Sequence, residues 1–192
     1  MNVELAESYI LERLRTNLSP RLLYHGLHHV LDVVDAAERL AKKEGICNIE
    51  DLTLLKTAAL YHDSGFLNVY KNHEEAGCAI VKEILPGFDY TTEQIEAICG
   101  MIMATKIPQS PKTKLEEILC DADLDYLGRE DFEPIAETLF EELRLRGAVS
   151  DHNLWNTIQV KFLDSHHYWT ESAKQSRNEL KQKHLAGLLA KI

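Results

Sequence analysis

Apolar residues recur at helical spacing along nearly the whole chain. Val3, Leu5, Tyr9, Ile10 and Leu14 share one face of a first helix that ends near Ser19-Pro20. A second helix is expected from about His25 to Lys43, with Val30, Val33, Val34, Ala37, Leu40 and Ala41 on its apolar face and Gly45 as its stop. A third starts at the acidic pair Glu50-Asp51 and ends at His62-Asp63; a polar loop, Ser64 to Asn72, separates it from a fourth, about His73 to Ile84, closed by Pro86-Gly87. Thr91-Thr92-Glu93 reads as the start of a fifth helix carrying Ile95, Ile98, Cys99, Ile102 and Met103. The stretch from Lys106 to Thr113, with Pro108 and Pro111, reads as a loop, and Leu115 to Asp125 as a short helix before the break at Gly128-Arg129. Segments Asp131 to Arg146, Asp151 to about His167 and Thr170 to Lys191 complete the set. No strand alternation, internal repeat or low-complexity linker interrupts it. The expected fold is all-α: one helical bundle over 1–192, with helices 130–192 packed on a core of about 22–129.

Composition narrows the partners more than the fold. The 192 residues suit one domain, and 45% hydrophobic with 27% charged residues is ordinary for a globular protein. A formal charge of −10 argues against nucleic-acid polymers and anionic membranes, though a bound cation can reverse the field inside one pocket. The four cysteines, Cys47, Cys78, Cys99 and Cys120, form no CxxC pair and read as reduced thiols. With no apolar run near the ~20 residues of a membrane span, a cytoplasmic location is the expectation.

The candidate chemistry sits where the apolar pattern stops. His62-Asp63 places an imidazole and a carboxylate at the negative end of a helix, which favours a cation. Further ligands can be sought in Tyr24-His25-Gly26-Leu27-His28-His29 and in Asp121-Ala122-Asp123-Leu124-Asp125. His25 stands one turn from His29, and His28 lies about 100° away round the helix; His25 and His28 alone read as capping or surface residues. The aspartates follow the apolar Ile118-Leu119-Cys120, so they need cations, donors or water, unless they form a solvated helix end. Mixed imidazole and carboxylate donors suit Mn, Fe, Co, Ni or Zn.

Tyr24-His25 with His29, then Ala59-Leu60-Tyr61-His62-Asp63-Ser64-Gly65, then Asp121-Ala122-Asp123-Leu124-Asp125-Tyr126-Leu127-Gly128 resembles the HD superfamily of metal-dependent phosphohydrolases, whose ligands run H…HD…D. The resemblance spans roughly Leu22 to Arg129. It implies metal ligation by His29, His62, Asp63 and either Asp121 or Asp123, the other aspartate orienting a ligand or substrate. Asp63 would also steer a water. His73 is the one histidine between the His-Asp pair and the aspartates, so the resemblance implies one ion per chain, with His73 a substrate contact or proton-transfer group, or else a helix cap. Thr105-Lys106 resembles an Ala-Thr-Lys segment of some superfamily members and is placed to meet a phosphate, with Lys106 a candidate for neutralising charge or protonating the leaving group. Arg129 and Lys71 rank below it.

The implied activity is hydrolysis of a phosphate ester of a nucleotide or another small phosphorylated metabolite; the rival is a non-catalytic regulatory or nucleotide-binding module. His166-His167 is expected in an aromatic turn packed on the first helix. Lys174, Arg177, Lys181, Lys183 and Lys191 read as a solvated basic face, and Leu139-Phe140-Leu143 as a face that suits a homodimer.

Overall fold

Six of the α-helices in this protein begin where a side chain satisfies free amides of the first turn. The computed structural model describes residues 1–192 and contains nine α-helices and no strand: α1 (Val3–Asn17), α2 (Leu27–Lys43), α3 (Ile49–Tyr61), α4 (His73–Ile84), α5 (Thr92–Thr105), α6 (Lys114–Asp123), α7 (Phe132–Leu145), α8 (His152–Ser165) and α9 (Glu171–Leu189). Asn2, Asn48, Thr113, Asp151 and Thr170 accept from first-turn amides, and Thr91 with Gln94 forms a reciprocal capping box on α5. No helix is long and apolar enough to cross a membrane.

Two apolar cores form. The larger joins α1 to α6: Val33, Ala37, Leu40 and Ala41 of α2 meet Leu55, Ala58 and Ala59 of α3, Ile98 and Ile102 of α5, and Ile118 and Leu119 of α6. Each fully buried Val, Leu or Ile contributes ~1.5–3 kcal/mol, so the period-3.6 stripe of α2 is enough to seat it centrally. The smaller core joins Phe132, Ala136 and Phe140 of α7, Trp155 and Leu163 of α8, and Leu185 and Leu188 of α9 to Tyr24, Leu124, Tyr126 and Leu127. It packs the last three helices over the mouth of the first six.

Several expectations change. α2 starts at Leu27 rather than His25, because Gly26 takes the extended N-cap conformation and leaves His25 free to turn elsewhere. The expected polar loop contains a buried 3₁₀ turn, Ser64–Leu67. α6 ends at Asp123, and Asp125 opens a second 3₁₀ turn, Asp125–Gly128. The aromatic turn at His166 to Trp169 is also tied by hydrogen bonds to the end of α6 and the proline loop, the Tyr168 hydroxyl donating to the Leu124 carbonyl and the Trp169 indole to Gln109, while the Tyr168 ring joins the apolar core that includes Ala6, Ile10 and Leu14 of α1. Phe140 is buried in the second core, and the partly buried Leu139 and Leu143 line a cavity wall. The basic face of α9 is also partly spent: Lys181 is buried against the His166 carbonyl, and Arg177 pairs with Asp125.

Candidate metal centre and adjoining cavity

Three chain segments bring nitrogen and oxygen donors to one point. His29 stands in the first turn of α2, His62 and Asp63 follow the last turn of α3, and Asp123 is the last residue of α6. His29 Nε2 lies 3.1 Å from Asp123 Oδ1, 3.4 Å from His62 Nε2 and 3.6 Å from Asp63 Oδ2. His62 Nε2 is 3.3 Å from Asp63 Oδ2 and 3.6 Å from Asp123 Oδ1. Donors held at about 2.1 Å from one ion stand roughly 3.0–3.4 Å apart at octahedral to tetrahedral angles, so these spacings suit a shared cation. Asp63 Oδ2 is buried with no hydrogen-bond donor, a costly condition that a metal ion would relieve.

The surrounding structure orients these donors. His62 Nδ1–H donates to the Ala59 carbonyl at 2.8 Å, and because a carbonyl only accepts, the lone pair of the neutral ring sits on Nε2, toward the cluster. Gly65 matters for a different reason: a Cβ there would lie 1.9 Å from the His73 carbonyl oxygen. Only glycine lets the start of α4 close on this turn, which sets His73 Nε2 3.4 Å from Asp63 Oδ1. The Phe66 ring, 4.0 Å from the His73 ring and 4.4 Å from that of His25, fills the space between them.

Charge in the cluster is shared. Burial disfavours a charged His62, but Asp63 and Asp123 outweigh it and raise its pKa well above the usual value. Burial likewise opposes ionisation of Asp63 and Asp123, yet the facing imidazoles hold both carboxyls below the ordinary range. His73 is raised, with burial opposing and Asp63 prevailing. Without a metal, protons occupy the place a cation would take.

Asp121 is not part of this cluster, which corrects its candidacy as a ligand. Its Oδ1 accepts from the Trp169 amide at 2.8 Å, and its Oδ2 from the Thr170 amide and hydroxyl, both at 2.7 Å. Residues two apart on a helix diverge by about 200°, so Asp121 and Asp123 cannot face the same point. Burial pushes the Asp121 carboxyl up to about 6 despite those three hydrogen bonds. Asp125 serves a third purpose, pairing with Arg177 at 2.8 Å and Arg39 at 2.7 Å.

The other candidates separate by position. Thr105 lines the cavity beside the cluster, but its hydroxyl donates to the Ile102 carbonyl. The Lys106 ammonium is outside that cavity, paired with Glu75 and near Asn72. Arg129 is held by Asp32 and Asp131.

Sequence reasoning passed over Glu142 of α7, which is fully buried and reaches back to the site. It accepts from His25 Nδ1–H at 2.6 Å, from the amides of Tyr24 and His25 at 2.9 and 3.1 Å, and from the Tyr70 hydroxyl at 3.0 Å. These donors, His25 foremost, outweigh burial and keep the carboxyl below its ordinary pKa. The available signal was an acidic residue in an apolar stripe, Ile135, Leu139, Glu142 and Leu143. A cavity of about 260 Å³ opens from Asp63, His73, Glu74, Asp123 and His25 toward α7 and α8.

A family model described as HD domain matches residues 26–125, just over half the chain, and spans all four converging donors. The chain belongs to the HD-domain family. No curated protein and no solved structure matches it. Within the HD-domain segment lie α2 to α6 and both ends of the ligand run; Glu142 and the far wall of the cavity come from the helices beyond it.

Proposed function

We propose that this HD-domain protein is a metal-dependent phosphohydrolase that cleaves a phosphate ester of a nucleotide or another small phosphorylated metabolite, with one divalent ion per chain. The observation that carries this reading is the convergence of His29, His62 and Asp123, with Asp63 Oδ2, which makes no hydrogen bond, 3.3 Å from His62 and 3.6 Å from His29. An ion of Mn, Fe, Co, Ni or Zn held by those four residues supplies Lewis acidity toward a phosphoryl oxygen and toward water when bound.

The chain's own groups complete the chemistry. Asp63 sits between the cluster and His73, where it orients the attacking water. His73 contacts the phosphoryl group at the cavity edge. His25, its Nδ1–H anchored on Glu142, presents Nε2 as the proton carrier; it protonates the leaving oxygen as the ester P–O bond breaks and the water oxygen bonds to phosphorus. Glu142 positions that ring through the hydrogen bond to Nδ1, as a buried carboxylate does behind a catalytic imidazole.

The test is turnover by purified protein supplied with each of the five metals, against phosphate monoesters and diesters. Glu142→Gln is expected to keep the metal and lower kcat by about 10–100-fold. Absence of turnover with every metal and ester would remove the enzymatic reading in favour of a binding module.

A further inference from the structure

The cavity beside the cluster has a chemical character that the proposed phosphohydrolase reading does not use. Every α7 and α8 residue that lines it is apolar except Gln159, including Leu139, Leu143, Trp155 and Phe162. No lysine or arginine lines it. Two cations on neighbouring segments are already committed: Lys106 to Glu75, and Arg146 to the Tyr70 ring, its guanidinium carbon 3.5 Å from the ring centroid. At the polar end, Asp63, Glu74 and Asp123 add negative charge.

We infer that the ester cleaved here carries a single phosphoryl group on an apolar alkyl or aryl alcohol, the apolar part lying between α7 and α8 and the phosphoryl group at the metal cluster; this rests on the phosphohydrolase reading. A bound divalent ion balances one phosphoryl group, whereas a second or third phosphate would enter a space with no fixed cation to meet it. A ribose would bring hydroxyls into a wall that offers one amide. That amide belongs to Gln159 of α8, which is 6% exposed and whose side chain makes no hydrogen bond within the chain; it is the place where one polar substituent of the apolar group is received. The volume, about 260 Å³, falls near the lower end of small-molecule sites, ~300–1,000 Å³, which also favours a compact group.

A homologous series separates this inference from the reading beneath it. Ethyl, butyl and hexyl phosphate have leaving alcohols of nearly equal acidity, so a rise in kcat/KM along the series reports burial of the chain. Manganese-loaded protein should gain about two- to fourfold per methylene and should turn over hexyl phosphate at least about tenfold better than AMP. Ile158→Lys, which places a charge at a partly exposed position of the same wall, should flatten the series. Turnover with no dependence on chain length, or a preference for AMP, overturns the inference and leaves the hydrolase standing. Should no ester be turned over, calorimetry with hexylphosphonate and ethylphosphonate still decides: tighter binding of the longer chain supports the apolar site, and equal binding overturns it.

Discussion

Asp123 and Asp125 are two residues apart, both at the end of α6, yet they sit in opposite electrostatic situations. Asp125 faces Arg177 and Arg39 at hydrogen-bond distance, with Arg129 at 3.7 Å. Its charge is matched by permanent cations, and it fastens α2 and α9 to the turn that follows α6. Asp123 faces two histidines, and nearby Asp63 Oδ2, though close to both imidazoles, makes no hydrogen bond. The first cluster carries its own permanent counter-charges, although Arg39 Nη1 is buried without an acceptor. The second is completed by protons or by a metal ion, and that exchangeability separates a ligand set from a structural ion pair.

The comparison breaks most visibly in activity. Asp123→Ala should abolish metal retention and lower turnover by on the order of 10³-fold or more, with the helical circular dichroism signal retained. Asp125→Ala should do the reverse, costing about 3–5 kcal/mol of stability because two or more arginines lose their counter-charge, while residual folded protein still takes up metal. Equal metal loss in both variants would mean that the two clusters are one unit.

Proton and metal compete for the same place, which yields a pH dependence with opposite signs. The raised His62 pKa means that in metal-free protein its ion pairs with Asp63 and Asp123 stabilise fully below about pH 6.5 and fade as pH climbs through the raised value. The lowered carboxyl pKa values add stability above about pH 4 that is lost as pH falls through them. Metal-free Tm should therefore decline above pH 6.5, while metal affinity strengthens over the same range. Parallel pH trends in loaded and metal-free protein would exclude the competition.

The smallest effect sharpens the boundary of the site. Lys106→Ala removes a solvent-exposed ion pair with Glu75, so the melting temperature should barely move and kcat/KM should change by no more than a few-fold. A loss near that of Asp123→Ala would return Lys106 to the phosphate.

The helices, most of their ends and three of the four candidate donors were legible because their signals are local. A buried stripe repeats every 3.6 residues, a cap is written in one side chain, and His29 and His62-Asp63 each occupy a helix end that the pattern locates. The choice between Asp121 and Asp123 was not local: both are aspartates flanking one alanine, and which faces the histidines depends on how α6 is rotated against α2 and on the arrival of Trp169 and Thr170 to satisfy Asp121. Glu142 lies 117 residues from His25 along the chain, and the apolar wall of the cavity belongs to helices whose stripes read only as core. By itself the sequence determined an all-helical chain, its HD-type ligand order and its surplus of negative charge. The packing of α7 and α8 over the cluster decided which aspartate is free, which carboxylate steadies His25, and how apolar the cavity is, because those outcomes depend on distances between side chains remote in sequence.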